Sequence, residues 1–219
     1  MGLMRRRHLW APTWRGWLLL LALGGLAAIA GRQSIHPFLA IDRPVATDIL
    51  VVEGWVPDYA LKRGLDLSVG QKSIYLLLTG GTVRGEVSPE RGDTYAKMAL
   101  ERLQRIGGDL PQVHPVPPPE LTPDPVRDRT YAEAIAVRKW LKDKGVSVRS
   151  LNVLTIGPHA RRSRLLFQKA FGGDVEIGVI SVANREYDSR IWWRYSEGVK
   201  EVLSEAAAYL YARCLFWPG

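Results

Sequence analysis

The segment VLTIGPHARRSRLLF, residues 153–167, decides the fold. An apolar run that starts at Ser150 ends at Ile156. Gly157-Pro158 breaks it, and apolar residues then recur at helical spacing. A buried strand, a tight turn and a helix in direct succession form the βα unit of a parallel sheet. The same stretch poses a functional question, because His159, Arg161, Arg162 and Arg164 crowd the turn. It reads as a catalytic histidine, an anion site, or a strand-to-helix turn with a basic rim. On a helix over 160–171 the buried stripe is Ser163, Leu166, Phe167, Ala170 and Phe171. At ~100° per residue Arg161 falls opposite that stripe and reads as solvated, while Arg162 and Arg164 fall on its flanks. Arg162, in the first turn, can fold toward an anion at the helix N-terminus. The helix dipole disfavours a protonated His159 there, so the expectation is a neutral donor or a base.

Working outward, the same alternation recurs. Strand-like runs cover 48–53, 73–79, a short stretch around Val113, 150–156 and 175–182. Helices read over 57–69, around Ala96, Ala99, Leu100 and Leu103, over 130–144, over 160–171 and over 196–216. Thr130-x-x-Glu133 has the form of a capping box. The strands are continuous apolar runs rather than alternating ones, which implies a sheet covered on both faces. The fold class is therefore α/β, a Rossmann-like three-layer sandwich with a mainly parallel sheet of about five strands.

The N-terminus is a different kind of sequence. Arg5, Arg6, Arg7 and Arg15 precede an apolar run that ends before Arg32, and no acidic residue occurs before Asp42. Four arginines before the run and one after it place the N-terminus in the cytoplasm by the positive-inside rule. Residues 1–15 then form a basic cytoplasmic tail, 16–32 a transmembrane anchor or signal segment, 33–46 a linker, and 47–219 an α/β domain outside the cytoplasmic membrane. The run over 16–31 is short for a span of about 20 residues. Trp10, Trp14 and Trp17 suit an interfacial belt and so an anchor, while Ala28-Ile29-Ala30 suits cleavage of a signal peptide.

The formal net charge of +8 is mostly this tail. Residues 1–32 hold five arginines and no acids, which leaves 25 basic against 22 acidic residues, or +3, for the rest. With no zinc-ligand spacing, RNA-binding signature or long basic tract, nucleic acid is not an expected partner. Cys214 is the single cysteine, so no internal disulfide forms and no Cys/His metal cluster is expected.

In parallel α/β sheets ligands bind beyond the carboxyl ends of the strands. The residues falling there are Glu53-Gly54-Trp55, Thr79-Gly80-Gly81, Pro119-Glu120 and Thr155-Ile156-Gly157-Pro158-His159. Each has a plain alternative. Gly80-Gly81 is a turn needing positive φ or an approach for an anion to backbone N–H groups. Glu53 is by default a strand-end charge reaching solvent, and Thr130 a helix cap before it is a ligand contact.

The set resembles the ElyC/SanA/YdcF family of bacterial, mostly envelope-associated proteins. LLLTGG matches that family's strand ending in Ser-Gly-Gly, with Thr79 for Ser. Ser88-Pro89-Glu90 matches its acidic helix start, and RTYAEA its Thr-x-x-Asn-Ala helix, with Glu133 for Asn. TIGPHARRS matches its Thr-Ser-x-x-His-x-x-Arg-Ala segment and puts His159 and Arg162 at the two named positions. The resemblance covers roughly 46–215, including Trp192-Trp193 and Glu205, and departs at Glu53-Gly54-Trp55. It implies a Rossmann-like domain, often behind one membrane segment, linked to peptidoglycan or envelope integrity near lipid-linked precursors. The resulting expectation is a membrane-anchored protein with an anion or phosphate pocket at the strand ends. His159 and Arg162 would be the catalytic candidates, and Glu53, Gly54, Thr79, Gly80, Gly81, Glu90, Thr130 and Thr155 the ligand-binding ones. The competing expectations are two. One is S-adenosylmethionine binding through Gly80-Gly81 with Glu53 or Glu120 on the ribose, which one branch of the family suggests. The other is a non-enzymatic scaffold using Tyr209, Tyr211, Phe216 and Trp217. No cofactor and no reaction is specified by these residues alone.

Overall fold

The computed structural model describes residues 13–70, 75–83, 94–107, 112–118 and 128–217. Glu90 and Glu120, both named above, lie outside them. The elements run α1 (Trp14–Leu39), β1 (Ile49–Glu53), α2 (Asp58–Gly70), β2 (Tyr75–Thr79), α3 (Tyr95–Gly107), β3 (Val113–Val116), α4 (Arg129–Asp143) and β4 (Ser150–Ile156). A 3-10 turn (Gly157–His159) leads into α5 (Ala160–Phe171). Next come β5 (Glu176–Val182), a second 3-10 segment (Ser189–Arg194) and α6 (Ser196–Cys214).

The five strands form one sheet in the order β3-β2-β1-β4-β5, every pair parallel. The chain steps one way from β1 through β3, then returns to the far side of β1 with β4. The crossover helices therefore lie on opposite faces, as right-handed connections require. Side chains alternate across the sheet accordingly. Val51, Leu77, Val153 and Ile177 pack beneath Val137, Leu141 and Phe167 of α4 and α5. Leu50, Val52, Leu76 and Leu154 pack beneath Ala60, Leu61, Ala99 and Leu103 of α2 and α3. The order reverses between β1 and β4, and at such a switch point the loops diverge and open a crevice beyond the strand ends.

Two expectations need correction. The helix cap at α4 is Asp128, whose side chain accepts from the Tyr131 N–H, two residues before the predicted Thr130. Either residue type can cap. Here Thr130 is buried inside the first turn, so its hydroxyl is not the group that meets the N3 amide. The stretch 33–46 is also no free linker. Helix α1 continues through Pro37 to Leu39. Ile35 and Leu39 pack on Tyr187, Trp192 and Val202, so apolar burial holds the extra turns. Pro37 lies in the last turn, where the lost N–H breaks one bond only. Beyond it, Arg43 forms an antiparallel bridge with Val179 on the open edge of β5. The Asn152 side-chain amide clamps both backbone groups of Val45.

Helix α1 is long and apolar enough to cross a membrane, and that apolar stretch is unburied by the domain.

Candidate functional site

Glu53, the last residue of β1, is fully buried, which overturns the reading of it as a strand-end charge reaching solvent. Three neighbours account for this. The Thr155 hydroxyl, from the tip of the adjacent β4, donates to Glu53 Oε2 at 2.5 Å, and the Ser163 hydroxyl of α5 donates to Oε1 at 2.7 Å. His159, on the 3-10 turn between them, places Nε2 3.3 Å from Oε2. That separation is ion-pair distance, yet Nε2 makes no aligned hydrogen bond among the described residues, so the contact is electrostatic rather than directional. The Trp55 ring closes the site edge-on, 5.1 Å from the imidazole.

Glu205 of α6 completes the arrangement. Its Oε1 lies 2.8 Å from His159 Nδ1, and Arg162 grips it with Nε on Oε2 at 2.8 Å and Nη2 on Oε1 at 3.0 Å. This is the two-pronged carboxylate grip for which guanidinium geometry is suited. Arg162 Nη2 and His159 Nδ1 are themselves 3.0 Å apart. Both are hydrogen donors converging on the same Oε1, so their closeness reflects a shared acceptor. Asp128 Oδ2 stands 3.5 Å from Arg162 Nη1.

The titration behaviour follows from this packing. Burial pushes the His159 imidazolium down, but the Glu53 and Glu205 carboxylates outweigh it and lift its pKa to about 10. The histidine is therefore held charged. That corrects the expectation of a neutral donor or base, because two carboxylates at contact distance, Glu53 buried and Glu205 half-buried, exceed a helix-terminus effect that is typically about 0.3–1 kcal/mol. Burial pushes Glu53 and Glu205 up, and His159 more than compensates, so both stay ionised below the usual carboxylate range. Glu133, on the second turn of α4, goes the other way. Burial first, and the Glu53 charge second, push it up to about 8. Its Oε2 is buried without a hydrogen-bond partner among the described residues.

The remaining expected residues divide. The Thr79 hydroxyl donates away from the crevice, to the Val116 carbonyl of β3 at 3.1 Å. Gly80 has φ of +142°, and a Cβ there would sit 2.6 Å from Tyr95 Cβ. A Cβ on Gly54 would sit 2.5 Å from the Tyr95 carbonyl oxygen. Both glycines are thus set by the close approach of the start of α3. Gly81 has more room, with Pro118 Cγ 3.4 Å from a notional Cβ, and its amide is turned toward Glu133. Thr155, His159 and Arg162 are brought together with Glu53. Arg161 is not solvated as expected: it stacks 3.9 Å over the Phe38 ring and donates to the Phe38 carbonyl, pinning the end of α1.

Glu133, Glu205, Asp128 and Ser163 were absent from the expected site. Ser163 and Glu133 left a trace in the sequence, as polar residues on apolar stripes, Glu133 in line with Val137 and Leu141. Glu205 is named only within the resemblance, and no local pattern pairs it with Arg162, 43 residues away. Among the described residues no three His, Cys, Asp or Glu side chains are placed to share one metal ion. No family model, no curated protein and no solved structure matches this chain.

Proposed function

We propose that the crevice beyond β1, β2 and β4 is the working site of a membrane-anchored envelope protein, and that it takes a phosphorylated ligand. The observation that carries this is the seat of Glu205. Its carboxylate accepts from Arg162 Nε and Nη2 and lies on His159 Nδ1, the contacts a phosphoryl group would make with the same two cations. On this reading Glu205 is the internal counter-ion that a ligand displaces. The ligand class follows from the resemblance to envelope-associated proteins and from the apolar α1. It is a lipid-linked precursor of peptidoglycan or polysaccharide, reached by a domain outside the cytoplasmic membrane. Should chemistry follow binding, the proton-exchanging group is Glu133, because a pKa of about 8 lies closest to neutrality. His159, at about 10, stays a fixed positive charge.

The test is calorimetric titration of the full-length protein in detergent with inorganic phosphate and with a polyprenyl phosphate. Arg162→Lys keeps the charge but loses the fork, and should weaken binding by tenfold or so. Glu205→Gln should strengthen it. Failure of both probes to bind, or Arg162→Lys binding like the parent, overturns the reading.

A further inference from the structure

Helix α1 leaves the domain at a defined place, and the elements clamped there have a distinctive surface. The apolar run ends at Arg32. Trp192 Nε1 donates to the Arg32 carbonyl at 2.9 Å, and the Arg32 guanidinium lies 4.5 Å from the Trp193 ring centre. The two indoles pack edge to face, 5.9 Å apart. The 3-10 segment Ser189–Arg194 is therefore fixed, by direct contact, at the level where the apolar part of α1 stops. Arg190, Arg194 and Tyr195 on and beside that segment are exposed, and Trp193 is half-buried. Basic side chains interleaved with Trp and Tyr at the end of a span are the composition that seats at a lipid headgroup layer.

We infer that the segment 189–195 docks on the anionic headgroups of the same membrane that α1 enters. This rests on the reading of α1 as a span. The favourable charges are Arg32 and Arg194. Arg194 has no carboxylate partner among the described residues, whereas Arg190 is paired with Asp188, at 2.7 Å from Nη2 to Oδ2. Exposed Glu186 and Glu197 nearby oppose the docking, so it is a salt-sensitive contact rather than an anchor in its own right. Its consequence is orientation. Helix α1 also packs against the 3-10 turn that carries His159, so a domain seated on 189–195 turns the carboxyl ends of its strands toward the bilayer instead of tumbling on a single helix.

Hydrogen exchange of the full-length protein in lipid nanodiscs tests this. In discs containing about a third phosphatidylglycerol, amides of 189–195 should exchange more slowly than in phosphatidylcholine alone. The protection should fall by roughly 25-fold for Arg194→Glu, about fivefold for the arginine lost and about fivefold for the opposing charge gained at an anionic surface, and also in high salt. Arg149→Glu, the same reversal at the amino end of β4, should change nothing. Equal exchange in the two lipids, or protection that survives Arg194→Glu, overturns the docking. Protection that rises with the number of protein copies per disc overturns it in favour of a second copy. A chain that fails to stay with the discs at all refutes the span, which is a separate outcome.

Discussion

Glu53 and Glu133 are two buried carboxyls at the same end of one sheet, and the protein treats them oppositely. Glu53 receives two hydroxyl donors and sits under an imidazolium. Glu133 keeps an oxygen with no hydrogen-bond partner among the described residues and feels the charge of Glu53. Burial alone would raise both. What separates them is the number of donors and cations each is given, and the gap between their titrations is the pattern from which acid and base roles are assigned.

The comparison can be broken most forcefully at His159. His159→Ala leaves Glu53 buried without its counter-ion and should cost about 3–5 kcal/mol of unfolding free energy, measured by denaturant titration. In a Glu53→Gln background the same substitution should cost far less. A cost below about 1 kcal/mol in the parent would mean that the hydroxyls, not the imidazolium, keep Glu53 charged.

Next in size is Thr155→Val, which removes a donor to a charged acceptor. A loss of about 1.5–3 kcal/mol is expected, with the Glu53 pKa moving upward by NMR titration. If that pKa stays put, the 2.5 Å contact contributes nothing to the difference between the two glutamates.

The pH dependence sharpens the comparison further. Glu133, raised from 4.5 to about 8, and His159, raised from 6.5 to about 10, both bind protons more tightly when folded. Their stabilisation is complete below the unfolded values and is lost as pH rises through the folded ones. Stability should therefore fall from pH 4.5 to about 10, most steeply between 6.5 and about 8, where both contribute. Glu53 and Glu205, depressed, add an acid limb below 4.5. Glu133→Gln should roughly halve the slope between 6.5 and about 8. At pH 4, below the unfolded value of 4.5, the same variant should be the mildest of the set, within about 1 kcal/mol of the parent, because a neutral amide replaces a carboxyl that carries its proton in both states.

Much of this architecture was legible in advance. The five strands and the domain's helices stand where the apolar runs and 3.6-residue spacing put them, and α5 begins and ends where the stripe from Ser163 to Phe171 required. Part of the site was legible as well: Glu53, Thr155, His159 and Arg162 fall at strand ends or helix starts, and those positions follow from local pattern. The misreadings share one cause. Within its own element Glu53 reads as solvated, His159 as neutral and Arg161 as free. In each case the deciding partner, Ser163, Glu205 or Phe38, comes from an element far away in sequence.

The sequence by itself therefore determined the period of each segment, and with it an α/β sandwich behind an apolar helix. Periodicity is a local property, set by backbone geometry and the need to bury one face. The strand order, the switch point between β1 and β4, and the charge state of the buried cluster were decided only by tertiary structure. Those depend on Coulomb and hydrogen-bond energies between groups tens of residues apart, and no local pattern encodes a distance.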